Sequence, residues 1–268
     1  MRLSLAALLV ATAAAAGCSG GTPQTFGTRI VRFDIHSRLL GRTLGQIGIT
    51  PAGPHHRRGL LVFLHGSGGR PDDLLWDETL RALRGLGRRA PDVVFVNGDD
   101  HSYYHDRSDG PWGSYVLREA VPAAVRELGA DSRRVAIGGI SMGGFGAFNL
   151  ARLEPRRFCA VGGHSPALWE AAAATPAGAF DDAADFERND LFGAARAGSP
   201  YGNMPVWIDV GASDSLRPAD TAFAHLLRAD GEHVRFHVWP GEHGSDYWRA
   251  HVDAYFRFYA EALAACRR

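Results

Sequence analysis

The 268-residue chain contains no lysine: all 29 of its basic side chains other than histidine are arginine. Alanine, glycine and arginine are all abundant, so the missing lysine reads as compositional bias. Acidic residues number 29 as well, and a formal net charge of +0 gives no bulk electrostatic reason to expect nucleic-acid binding. Cysteine is scarce. Three residues, Cys18, Cys159 and Cys266, make no disulfide framework, and no C-x-x-C pair or clustered His/Cys spacing points to a metal or other cofactor. Neither a linker nor an internal repeat divides the chain. Its 46% hydrophobic content suffices for one substantial core, compatible with a single α/β domain.

The longest apolar run stands at the N-terminus. Arg2 precedes the Ala-rich stretch from Leu3 to Ala16, and Ala15-Ala16-Gly17-Cys18 is a small-residue cleavage site. The run is too short for a comfortable membrane span. Residues 1–17 therefore read as a signal peptide and 18–27 as a flexible tether. Cysteine at the cleavage point resembles a bacterial lipobox, in which Cys18 is diacylated and becomes the mature N-terminus; an ordinary secretory signal is the alternative. Export is expected, with a lipid anchor on the outer face of the cell membrane. Cys159 lies in the apolar run Phe158 to Val161 and reads as a buried free thiol. Cys266 falls in the C-terminal tail, and a disulfide between the two is the other possibility.

From residue 28 onward, apolar strands alternate with amphipathic helices. Residues 28–36 and 43–50 alternate as antiparallel edge strands do, with Gly41 near their turn. Strands follow at 60–64, 93–96, 135–140, 158–162, 206–210 and 234–238, and helices at 74–86, 115–128, 145–153, 219–227 and 246–262. This order predicts a mainly parallel, doubly wound sheet. One stretch breaks the rhythm. Residues 166–205 hold an Ala-rich segment, an acidic patch (Asp181, Asp182, Asp185, Glu187) and a Gly/Pro-rich exit, too long for a simple crossover. An insert after the sixth strand opens at the carboxyl ends of the strands, where such sheets bind ligands. It reads as a small cap or lid helix, or else as a helix that merely covers the sheet.

Ser141 sits at the centre of G-x-S-x-G in Gly138-Gly-Ile-Ser-Met-Gly-Gly144, between a strand and a helix. That context is a sharp turn exposing a nucleophile, which glycine-sized neighbours at 139 and 143 permit. A serine hydroxyl needs a base and an orienting acid. The first acid following a strand end after Ser141 is Asp214, in Asp209-Val-Gly-Ala-Ser-Asp214. Asp209 is also available, but it lies within its strand and would point into a sheet face. His243, in Trp239-Pro-Gly-Glu-His-Gly-Ser-Asp246, follows the last strand and is the candidate base; His237 and His251 lie inside a strand and a helix and read as packing residues. An oxyanion hole needs two aimed N–H groups. One is that of Met142, and the second comes from Ser67 or Gly68 in His65-Gly-Ser-Gly-Gly69. His65 reads as a brace for that loop.

The combination resembles the α/β-hydrolases of the esterase D type, a group that includes feruloyl and acetyl-xylan esterases and secreted mycolyltransferases. The matching pieces are His65-Gly-Ser-Gly-Gly69, Tyr103-Tyr-His-Asp-Arg107 with Trp112-Gly-Ser-Tyr115, Gly139-Ile-Ser-Met-Gly-Gly144, and Gly241-Glu-His243 with Tyr247-Trp248 behind it. The resemblance spans 28–268 and implies an α/β-hydrolase fold and a Ser141–His243–Asp214 triad. It also implies that Ser67 and Met142 carry the oxyanion N–H groups. The 166–205 insert matches no known substrate class.

Substrate contacts are expected from the loop 99–115, rich in aromatic and polar groups suited to a sugar or an aromatic acid; the alternative is a hydrogen-bonded surface loop. Gly68, Tyr104, Trp112 and His164 are the named candidates. The expected activity is hydrolysis of a small-molecule or polysaccharide-linked carboxylic ester. Alternatives are acyl transfer to a carbohydrate hydroxyl, or a non-catalytic ligand-binding lipoprotein on the same scaffold.

Overall fold

The computed structural model describes residues 25–53 and 57–267; the leader, Cys18 and most of the tether lie outside the described residues. Eight strands form one sheet: β1 (Thr28–Ser37), β2 (Arg42–Pro51), β3 (Gly59–Leu64), β4 (Asp92–Val96), β5 (Asp131–Ile140), β6 (Phe158–His164), β7 (Val206–Gly211) and β8 (Val234–Trp239). Their spatial order is β1-β2-β4-β3-β5-β6-β7-β8. β2 runs antiparallel to both of its neighbours, and all remaining pairs are parallel. The mainly parallel, doubly wound sheet expected from the sequence is therefore present.

The helices are α1 (Asp77–Leu86), α2 (112–128), α3 (Met142–Leu153), α4 (Ala183–Arg188), α5 (Leu191–Ala197), α6 (Arg217–Ala229) and α7 (Ser245–Ala265). Leu60, Val62 and Leu64 of β3 face one helical layer, and Leu61 and Phe63 face the other. That two-residue period is what a strand buried on both sides must show. α2, α3, α5 and α6 cover the first face; α1 and α7 cover the second. Pro122 cannot donate to the carbonyl of Arg118, and α2 widens into a π turn over Val116–Ala120 just ahead of it. His237 and His251 are packing residues, as read from the sequence: their rings lie 4.9 Å and 4.2 Å from that of Trp239.

The 166–205 segment differs from a single lid helix. It contains α4 and α5, each begun by an aspartate of the acidic patch or just beyond it: Asp182 accepts from the Asp185 N–H at 2.7 Å, and Asp190 from the Gly193 N–H at 2.8 Å. Such caps satisfy donors that a short helix cannot satisfy itself. α5 packs on α6 through Phe192 and Phe223, 5.2 Å apart, so this part covers the sheet's flank.

The free-thiol reading of Cys159 is overturned. Cys159, at the start of β6, is disulfide-bonded to Cys266, the residue that follows α7. Sequence alone could not pair residues 107 positions apart. Closing so long a loop removes much unfolded-chain entropy, and reduction or a Cys159→Ser/Cys266→Ser double variant should cost about 2–4 kcal/mol. Urea unfolding with and without reductant measures it; an unchanged midpoint would contradict the estimate.

Candidate active site

Ser141 has φ 51° and ψ −118°, a conformation that costs a non-glycine residue about 1–3 kcal/mol. Neighbouring backbone holds it there. Its N–H donates to the His164 carbonyl at 3.1 Å, and its own carbonyl accepts from Gly144, Phe145 and Ala167. The turn can form because a Cβ at Gly143 would lie 2.2 Å from the Leu64 oxygen, and one at Gly139 2.6 Å from Gly143 backbone. No side chain fits at either position.

Three expected residues converge here. His243 Nε2 lies 2.9 Å from Ser141 Oγ, and its Nδ1 lies 2.8 Å from Asp214 Oδ2. Asp214 follows β7 and is 4% exposed, whereas the His243 side chain is about a third exposed. Burial pushes the Asp214 carboxyl up, but hydrogen bonds from His243 and the Leu216 N–H outweigh it and hold the group below the usual carboxylate range. A serine, imidazole and carboxylate in this series can shuttle the serine proton.

The loop after β3 forms the opposite wall, and a Cβ at Gly66 would stand 3.5 Å from that of Ser141. The Gly68 N–H donates to the Asp100 carbonyl at 2.8 Å and is thus engaged elsewhere. Among the described residues the Ser67 N–H has no such acceptor. Met142 opens α3, so its N–H has no carbonyl within the helix to meet.

His65 braces this loop, as expected. Its Nε2 accepts the Gly98 N–H at 3.0 Å, which leaves the ring proton on Nδ1, facing the Gly66 carbonyl at 2.9 Å. Burial lowers its pKa, against the smaller upward pull of that carbonyl, Asp73 and Asp100. Burial likewise lowers that of His105, although Asp185 lies 3.0 Å away. The unfolded chain takes up these protons near pH ~6.5, while the folded chain resists them. Both histidines therefore contribute full stability above about pH 7, and it declines as pH falls through ~6.5, by at most about 1.4 kcal/mol per pH unit for each. Tm recorded between about pH 8 and about pH 5 should drop on the acid side; a flat profile would contradict this.

Three of the four expected substrate contacts are not at the site. Tyr104 and His164 are wholly buried and Trp112 is 1% exposed. The Tyr104 hydroxyl donates to the His65 carbonyl at 3.2 Å, so this ring supports the loop after β3 from beneath. Trp112 donates to Asp109 and lies under the Arg42 guanidinium. His164 is fixed between Asp209 Oδ1 (2.6 Å) and the Tyr259 hydroxyl (3.0 Å), and stacks on Tyr255 at 3.6 Å. The loop 99–115 is the hydrogen-bonded structural element of the alternative reading. Arg107 binds Asp181 and the Gly178 carbonyl, and His105 binds Asp185, which ties the loop to the 166–205 segment.

Gly68 does line the cavity at Ser141, a volume of about 420 Å³. The other walls were missed: Leu74, Trp76, Ile140 and Trp248 present apolar surface beside Ser141 and His243. Trp248 packs edge-on against the His243 ring, 5.1 Å away. No residue of the 166–205 segment lines this cavity.

Asp209 heads a second buried group. Oδ1 accepts from His164 and the Trp207 indole, and Oδ2 from the Tyr247 and Tyr255 hydroxyls at 2.8 and 2.9 Å. An aspartate inside an apolar strand was the available signal. So were tyrosines at 247, 255 and 259, whose spacings of eight and four place them on one helix face.

Residues 51–259 match the Esterase family. The S-formylglutathione hydrolase of Paracoccus denitrificans is 27% identical over 190 residues, 65% of this chain and 67% of that protein. Among solved structures, an S-formylglutathione hydrolase from Agrobacterium tumefaciens superposes with TM-score 0.74 at 21% identity, covering 89% of this chain and 96% of the other. A ferulic acid esterase gives 0.76 at 19%, over 90% and 100%. MPT51 of Mycobacterium tuberculosis gives 0.71 at 18%, over 89% and 99%. With an α/β-hydrolase sheet and a family match over most of its length, the chain belongs to the Esterase family and is a carboxylic-ester hydrolase.

Proposed function

We propose that this esterase works through an acyl-enzyme on Ser141. The observation that carries the reading is the series Asp214–His243–Ser141, with contacts of 2.8 and 2.9 Å at the strained turn. His243 Nε2 takes the Ser141 proton as Oγ attacks the ester carbonyl. The resulting oxyanion is held by the N–H groups of Ser67 and Met142. The imidazolium returns the proton to the leaving alkoxide, and the acyl group stays on Oγ. Water then attacks the acyl carbon, losing its proton to His243; the bond from that carbon to Oγ breaks, His243 returns the proton to Ser141 Oγ, and the acid departs. Asp214 holds the imidazole tautomer and stabilises its charged form.

The exposed face of His243 gives water direct access for the second step. Leu74, Trp76, Ile140 and Trp248 suit an apolar group of the ester. Export with lipid on Cys18 belongs to the same reading, and the Cys159–Cys266 disulfide supports an oxidising compartment. A fluorophosphonate probe followed by peptide mass analysis tests the nucleophile. The adduct is expected on the peptide carrying Ser141, together with turnover of p-nitrophenyl acetate. Turnover with no adduct at Ser141 would defeat the proposal.

A further inference from the structure

The end of the sheet opposite Ser141 carries a pocket of about 570 Å³ lined by Arg57, Arg58, Arg88, Arg89 and Arg134 and, among the described residues, by no acidic one. Arg58 is tied to the Pro51 and Ala52 carbonyls, and Arg134 to Asp131 and the Arg57 carbonyl. Arg57, Arg88 and Arg89 are exposed, and among the described residues no carboxylate pairs with them. Three exposed arginines thus stand together at this end.

Two features orient that end. α7 runs from the Ser141 cavity, which Ser245 and Trp248 line, to this pocket, which Ala260, Leu263 and Ala264 line. At 21 residues it is about 30 Å long, which separates the two openings by the depth of the molecule. The N-terminal segment also enters here: Thr28 pairs with Pro51, and a Cβ on Gly27 would lie 3.8 Å from Ala52, itself a pocket residue.

The geometry points to a docking surface for anionic phospholipid headgroups, on which the arginine pocket rests with the catalytic mouth turned away from the bilayer. Guanidinium groups bind phosphate oxygens through planar, paired N–H donors. The leader side of the chain emerges beside them, where a tether would hold this face against the membrane. The inference rests on the proposed export; it does not depend on which ester is cleaved.

A chain beginning at Ser19, which keeps every described strand and helix, measures the patch without an anchor. It should co-sediment with vesicles of equal parts phosphatidylglycerol and phosphatidylcholine, leave vesicles of phosphatidylcholine alone, and be released by high salt. Each arginine near an anionic surface contributes about fivefold in partition, so the Arg57→Gln/Arg88→Gln/Arg89→Gln variant should bind roughly a hundredfold more weakly. Its turnover of p-nitrophenyl acetate should be unchanged, which separates this test from that of the active site. Equal binding to both vesicle types, or full binding by the triple variant, would overturn the proposal. So would binding of inorganic phosphate, or of duplex DNA, in place of vesicles.

Discussion

Replacing Ser141 by alanine lowers kcat for p-nitrophenyl butyrate by about 10⁵- to 10⁶-fold and leaves KM nearly unchanged. That loss corresponds to about 7–8 kcal/mol of transition-state stabilisation. The size follows from what the variant removes under the proposed mechanism: the atom that would form the acyl bond, and with it any use for a proton relay through His243 and Asp214. The proposed oxyanion donors, the N–H groups of Ser67 and Met142, remain, so some catalysis over water should survive. His243→Ala should fall to a similar level. The double variant should fall no further, because residues acting as one unit lose their effect together. Steady-state kinetics on freshly purified variants decide it; two single losses that multiplied in the double variant would refute a shared relay.

The largest effect on stability is expected at Asp209. Asp209→Leu strips acceptors from His164, Trp207, Tyr247 and Tyr255 at once, all of them buried or nearly so. Breaking a buried charged network by removing one partner costs about 3–5 kcal/mol. Asp209→Asn keeps the volume and one carbonyl oxygen, and the tyrosine hydroxyls can turn to accept from its amide. It should cost clearly less. Urea unfolding followed by tryptophan fluorescence compares the two, and a leucine variant as stable as the parent would show that the network carries no net stability. Activity should fall in the leucine variant too, because the His164 carbonyl accepts the Ser141 N–H and the Asp209 carbonyl accepts that of Ser165.

The convergence of Ser141, His243 and Asp214 was legible in the sequence because their constraints are local. A glycine-flanked serine after a strand, an acid across a short turn and a histidine in a glycine-bounded loop each announce a strand's carboxyl end. The glycine-rich loop after β3 was legible for the same reason, since only glycine backbone can approach Ser141 so closely. Tyr104, Trp112 and His164 were misassigned because position along the chain gives the correct end of the sheet but not depth beneath its surface. Aromatic and polar residues at a strand end serve equally well to bind a ligand or to support the loop that does. The cavity walls could not be read because Trp76 and Trp248 lie 172 positions apart in the sequence and meet only through the packing of α1 and α7.

That packing separates two kinds of inheritance within one site. The turn at Ser141 is locked by backbone contacts at Gly139 and Gly143, where any side chain collides. Leu74, Trp76 and Trp248 hold no reacting atom, yet they set the shape of the space beside it. A lineage, or a directed library, has its freest position at half-buried Trp76, since Leu74 belongs to the core and Trp248 packs on the His243 ring. The fold keeps its evolvable surface within a few ångströms of its least mutable one.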